Sequence, residues 1–75
     1  MRVRLMGVFS HLAGTDEIEV KITGKKRVGD ILREIIPRFD EVKDKIIVIN
    51  GKVAREDAEV TDEDFVKVMP VLSGG

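Results

Sequence analysis

Along this chain the apolar positions alternate near both ends and fall into helical spacing in the middle. Over residues 2–9, Val3, Leu5 and Phe9 share one parity with Gly7, while Arg2, Arg4, Met6 and Val8 take the other, which predicts a first strand. Residues 10–16 read as a connection containing Gly14. Residues 17–22 alternate strictly: Glu17, Glu19 and Lys21 form a wet face and Ile18, Val20 and Ile22 a buried one, the pattern of a half-buried antiparallel strand. After Thr23-Gly24-Lys25-Lys26 the period changes. Val28, Ile31, Leu32 and Ile35 stand at i, i+3, i+4 and i+7, which predicts a helix over 28–36 that Pro37 brings to an end. Arg27 is a poor N-cap, so burial of that stripe has to supply the helix's stability, at about 1.5–3 kcal/mol per large aliphatic side chain.

Residues 38–45 read as an irregular polar connection with Phe39 and Val42 tucked beneath it. Ile46-Ile47-Val48-Ile49 is a continuous aliphatic run, the mark of a central strand covered by the helix. Asn50-Gly51 is a strong hairpin signal and predicts that residues 52–55 pair back on that strand. Residues 56–64 are acidic and read as turns, and Phe65 to Met69 alternate as a last strand. One helix on one face of a four- or five-stranded mixed sheet buries both apolar surfaces, an α+β arrangement. The same order of elements occurs in the β-grasp, or ubiquitin-like, fold.

The end of the chain, Pro70-Val71-Leu72-Ser73-Gly74-Gly75, carries the candidate chemistry. Pro70 lacks a backbone N–H, so strand pairing should weaken there. This divides the chain into a folded body over 1–69 and an exposed tail over 70–75. Five residues beyond Pro70 reach roughly 17 Å when extended. Glycine lets a backbone approach any surface closely, which suits a tail threaded into another protein's site. The terminal carboxylate of Gly75 is an anion at neutral pH and a poor electrophile. It becomes reactive once an oxygen is turned into a leaving group, as in an acyl-adenylate. A frayed terminus is the bland alternative.

Composition narrows the field. The 75 residues make one small domain without cysteine, so neither a disulfide nor a thiolate zinc site is available and the chain's own thiol cannot accept sulfur. Thirteen basic residues nearly balance fourteen acidic ones, and a net charge of −1 makes no case for nucleic acid or anionic lipid. The longest aliphatic run, residues 46–49, is far short of the ~20 residues that span a bilayer, and residues 1–4 build no signal-peptide core. A cytoplasmic protein is the expectation. Charged residues make up 36% of the chain and Asn50 is its only Asn, with Gln absent, the compositional trend of hyperthermophile proteins.

The chain resembles, over essentially its whole length, the small sulfur carriers of molybdopterin and thiamin biosynthesis, the MoaD/ThiS group. The residues that carry the resemblance are Val3-Arg4-Leu5 leading to Leu12-Ala13-Gly14, then Val28-Gly29-Asp30-Ile31-Leu32-Arg33-Glu34, then Val48-Ile49-Asn50-Gly51. They are followed by Thr61-Asp62-Glu63-Asp64-Phe65-Val66 running into Met69-Pro70-Val71-Leu72-Ser73-Gly74-Gly75. The Pro-x-x-Ser-Gly-Gly ending looks closest to the molybdopterin-synthase small subunit. Departures are Arg27 where Thr is usual, Met6 and Met69 where aromatics are common, Ser10-His11 in place of an Arg-Glu pair, and Val71 in place of a second proline.

The resemblance implies a non-catalytic carrier with the β-grasp fold. A ubiquitin-activating-type enzyme adenylates Gly75 with ATP and Mg²⁺, and a sulfur donor displaces AMP to leave a thiocarboxylate. Pro70, Val71, Leu72, Ser73 and Gly74 thread into the partner, and a larger synthase subunit is a further expected partner. The chain itself binds no cofactor: it has no phosphate-cradling loop, so the partner must hold ATP and supply the cationic groups that offset carboxylate–triphosphate repulsion. The alternatives are a thiamin-type or tRNA-thiolation carrier, a modifier joined through Gly75 to lysines, and an adaptor with an inert tail.

Other features have simpler readings. Asp62-Glu63-Asp64 offers oxygen ligands for a hard cation but lacks a full loop pattern, and reads as a solvated turn. His11 is the only histidine and reads as a surface loop residue; Lys25-Lys26-Arg27 reads as a helix-entry loop. Val71 and Leu72 are apolar on a tail expected to be exposed, which favours docking to a partner over packing back on the domain.

Overall fold

A computed structural model describes residues 1–71. The sheet is built from β1 (Arg2–Leu5), β2 (Glu17–Glu19), β4 (Lys45–Ile49), β5 (Lys52–Ala54) and β7 (Phe65–Pro70), in the order β2-β1-β7-β4-β5. β1 and β7 run parallel, from Arg2↔Phe65 to Leu5↔Val68, and every other pair is antiparallel. A separate ribbon pairs β3 (Lys26–Arg27) with β6 (Glu59–Val60). The helices are α1 (Val8–Ala13) and α2 (Val28–Ile35), with a 3₁₀ turn at Phe39–Glu41. This is the expected β-grasp sheet, with the first and last strands as neighbours.

Five local readings change. The expected strand over 2–9 stops at Leu5, because Gly7 takes φ +58° and ψ −130° and turns the chain into α1. Phe9, Leu12 and Ala13 then stand at i, i+3 and i+4, and Gly14 caps the helix in the left-handed region, its N–H donating to the Ser10 carbonyl at 2.9 Å. Phe9 is buried in either reading, which is why parity alone did not separate strand from helix. The strand over 17–22 keeps its alternation, but Val20 exchanges a last pair of bonds with Met1 and Ile22 donates to Asp62 at 3.0 Å instead of to a strand.

The aliphatic run of β4 is not covered on both faces: Ile47 is buried and Ile49 packs on the core, while Ile46 and Val48 point to the other side. β4 is an interior strand, as expected, between β7 and β5, while the middle strand of the five is β7. Residues 23–27 and 56–64 supply the two-residue strands of the ribbon, too short to show a period.

Helix α2 explains how its poor cap is tolerated. Arg27 makes no side-chain capping bond; the first two helical N–H groups, of Val28 and Gly29, donate to the Ala58 and Glu56 carbonyls at 2.8 and 2.9 Å. Gly29 has to be small there, since a Cβ would lie 2.9 Å from the Glu56 carbonyl oxygen. Arg33 ties the same loop down, pairing with Glu56, and with Asp40 at 3.0 Å. Ile36, rather than Ile35, is the fully buried residue at the helix end, because the chain leaves the helix there in extended conformation.

The core joins Val3, Leu5, Val66 and Val68 of the sheet to Phe9 of α1, Ile31 and Leu32 of α2 and Phe39. The Phe9 and Phe39 rings lie 5.8 Å apart, and Lys45 Nζ sits 4.4 Å from the Phe39 ring centroid. At the hairpin, Asn50 and Gly51 have φ of +50° and +84°, both positive as a type I′ turn requires, and Ile49 pairs with Lys52.

Candidate functional site

Strand β7, the last before the chain's end, is the middle of the sheet, and its two edges end differently. Toward β4, pairing continues past the proline: Lys45 stands opposite Pro70, and Val71 donates its N–H to the Asp44 carbonyl at 3.1 Å. Toward β1, the last bond runs from the Met6 N–H to the Val68 carbonyl at 3.0 Å, before Gly7 turns away. In this register the odd residues of β7 bond toward β4 and the even ones toward β1. Pro70 therefore faces an edge whose partner strand has already left, and its missing N–H removes no ladder bond. The expected weakening at Pro70 is confined to the β1 side, and the strand runs one residue further than expected.

The proline ring fills the space left by Gly7, where a Cβ would stand 2.9 Å from Pro70 Cγ. Met6, Gly7, Met69 and Pro70 enclose an apolar hollow of about 240 Å³ at the foot of the tail. Met6 is 42% exposed and Val71 47%. Extending the Leu5↔Val68 register by one residue places Met6 beside Met69, on the face of the sheet that the helices leave open.

That open face continues through Ile46 and Val48 to Val53, 77% exposed on the edge strand, and also carries Phe65. Arg4 and Lys67 stand opposite each other there, with Lys67 Nζ 5.6 Å from the Phe65 ring centroid, and Arg2 pairs with Glu17 at 3.1 Å. An apolar patch flanked by cations thus runs up to the root of the tail. The sequence reading identified Val71 but missed Met6, Gly7 and this face. The available signal was the outward parity of Met6, together with the glycine that follows it.

Of the expected tail residues, Pro70 ends β7 and Val71 follows it, while Leu72, Ser73, Gly74 and Gly75 lie outside the described residues. The acidic turn at the other end of β7 has structural work. Asp62 accepts from the Ile22 N–H, and from the Met1 ammonium at 3.2 Å, and these bonds hold its carboxyl below the usual range. Asp64 accepts from the Thr61 N–H at 2.7 Å and from the Asn50 amide at 2.8 Å, which lower its carboxyl in the same way. Among the described residues no cluster of three or more His, Asp or Glu side chains is arranged to hold a metal ion. His11 is an exposed residue of α1, not of a loop. Lys25, Lys26 and Arg27 are exposed beside a cleft of about 470 Å³ that also contains Asp30, Glu34 and Glu59, so its charges are mixed. Among the described residues no helix is long and apolar enough to cross a membrane.

A five-stranded sheet with parallel first and last strands, the last at its centre, and helices on one face defines a β-grasp protein of the ubiquitin-like class. The sequence profile of the ThiS family matches residues 3–75, and the chain belongs to that family. Among solved structures it is similar to a protein from Pyrococcus furiosus assigned as molybdopterin converting factor, subunit 1, at 30% identity, covering 95% of each chain with a TM-score of 0.71. Small archaeal modifier protein 1 of Haloferax volcanii shares the fold at TM-score 0.82, with 23% identity over 100% of this chain and 98% of that one. A second structure of the H. volcanii modifier gives 0.80 at 20% identity, covering 96% of this chain and 97% of the other.

Proposed function

We propose that this protein is a sulfur carrier whose Gly75 carboxylate is adenylated by a partner enzyme and converted to a thiocarboxylate that donates sulfur in molybdopterin biosynthesis. The observation that carries the reading is the termination of β7. The central strand delivers Pro70 and Val71 at the sheet's end, still bonded on one edge, with Gly74-Gly75 a few residues beyond. The likeness to the P. furiosus protein favours the molybdopterin branch over the thiamin or tRNA-thiolation branches. The chain contributes a handle and an acyl end; ATP, Mg²⁺ and the cationic groups that shield the triphosphate belong to the activating partner. That partner docks on the open face at Met6 and Met69, since this is the apolar surface continuous with the tail. Sulfur transfer is completed on a larger synthase subunit in the cytoplasm.

The test is mass analysis of the C-terminal peptide from protein isolated from native cells. Exchange of one oxygen for sulfur on Gly75 supports the carrier. A terminal peptide found only with two oxygens, in cells actively making molybdopterin, would refute it. A second reading, a modifier joined through Gly75 to lysines, draws on the fold shared with the H. volcanii modifier. Gly-Gly remnants on lysines of other proteins would support it, because the same activated carboxyl serves both reactions.

A further inference from the structure

On the open face two of the chain's three methionines lie side by side at the end of β7. Met6 is 42% exposed and Met69 is half-buried against the same hollow, whereas Met1 is 4% exposed and belongs to the core. A thioether is soft and apolar, but it is readily oxidised where an oxidant can reach the sulfur. We propose that Met6 and Met69 form an oxidation site and that their conversion to sulfoxides blocks charging of the tail. The second half rests on the reading of this face as the docking surface of the activating partner.

The step balances with a peroxide as oxidant. A sulfur lone pair attacks the distal oxygen of hydrogen peroxide; the S–O bond forms and the O–O bond breaks. The departing hydroxide takes up the peroxide proton and leaves as water. Sulfur loses two electrons and peroxide gains them. Reversal requires a thiol-dependent methionine sulfoxide reductase, which supplies two electrons and two protons and releases the oxygen as water. Each sulfoxide places a strong, polar acceptor on a surface that has to dry out when a partner covers it, and a desolvated polar group without a partner is costly. The backbone at Met6 and Val68 is already bonded, so the fold has no reason to rearrange.

The experiment treats the full chain with graded hydrogen peroxide, removes the oxidant with catalase, and maps oxygen addition by peptide mass analysis. Mapping is essential, because adding oxygen to a methionine and exchanging oxygen for sulfur at Gly75 change the intact mass almost equally. Met6 and Met69 should oxidise well before Met1; oxidation of Met1 at the same rate would overturn the assignment of the site. Adenylation is then measured with a purified ubiquitin-activating-type enzyme as ATP–pyrophosphate exchange, at carrier concentrations below saturation. The oxidised chain should be charged about tenfold more slowly, equivalent to roughly 1.4 kcal/mol. Its melting temperature should be unchanged, and reductase treatment should restore the rate.

In the double variant Met6→Leu, Met69→Leu, the ratio of treated to untreated rate should return to one, whatever its own basal rate. Equal charging of oxidised and untreated chains, or a loss that the reductase does not reverse, refutes the blockade. Failure of the untreated chain to be charged at all refutes instead the carrier reading on which it rests.

Discussion

Replacing Gly7 by alanine tests the argument that β1 turns away at this residue and that the Pro70 ring packs in the space it leaves. Gly7 has φ +58° with ψ −130°, a region open essentially to glycine, so an alanine there stores about 1–3 kcal/mol of backbone strain. Its Cβ would also stand 2.9 Å from Pro70 Cγ and 3.2 Å from Cδ, closer than carbon atoms pack, and overpacking of this kind costs about 1–3 kcal/mol. The two effects share one relaxation, so their sum should fall at about 2–4 kcal/mol. In a domain of this size each kcal/mol moves Tm by roughly 4–8 °C. Gly7→Ala should therefore melt at least about 8 °C lower in a calorimetric scan.

Two further variants apportion that loss. Gly14 also has positive φ, +76°, but nothing lies within 4 Å of an added Cβ, so Gly14→Ala reports backbone strain without a clash. Pro70→Ala in the Gly7→Ala background removes the ring that the new Cβ meets, and should recover the contact part of the loss. If Gly7→Ala melts within about 2 °C of the parent, the turn tolerates a side chain and the account of how β1 ends is wrong. If Pro70→Ala recovers nothing, the strain is backbone alone and the packing of Gly7 on the proline is incidental.

Gly29→Ala should destabilise by about 1–3 kcal/mol despite the better helix propensity of alanine, because its Cβ meets the Glu56 backbone that caps α2; urea unfolding measures this. Asp62 and Asp64 carry carboxyls lowered in the folded state, so the unfolded chain takes up their protons first as pH falls. Their contribution is complete above the ordinary carboxylate pKa and is lost below about pH 4 as pH drops through the folded values. A melting-temperature profile between pH 2 and 7 should fall at its acid end, less steeply for Asp64→Ala; an unchanged profile in that variant contradicts the assignment. Deleting Gly75 should abolish adenylation and leave the melting temperature where it was, whereas substantial unfolding would make the tail part of the fold.

The sheet and α2 were legible because their periods are long enough to read. Ile18, Val20 and Ile22 alternate over six residues, and the stripe from Val28 to Ile35 repeats through two turns. Asn50-Gly51 announces its hairpin through the chemistry of positive φ. Helix α1 was hidden because Phe9 satisfies a strand parity and a helix spacing equally, and only the φ of Gly7 decides between them. The ribbon of β3 and β6 has two residues per strand, below any detectable period, and its pairing is set by where the 56–58 loop caps α2. The open face was illegible for a different reason. Ile46 to Ile49 looks buried throughout, and which half is covered depends on a helix far away in sequence. In sequence Pro70 reads as a break, and the register shows why it breaks little: an N–H there would face an edge already abandoned by β1.

Placing the latest-made strand at the centre of the sheet has a consequence for biosynthesis. On a ribosome, β1 and β2 can meet early, and β4 can fold back on β5, but within the sheet these two pairs are joined only through residues 65–70. A nascent chain stopped before residue 65 is left with two hairpins and no keystone, and its apolar faces remain open to proteases and chaperones.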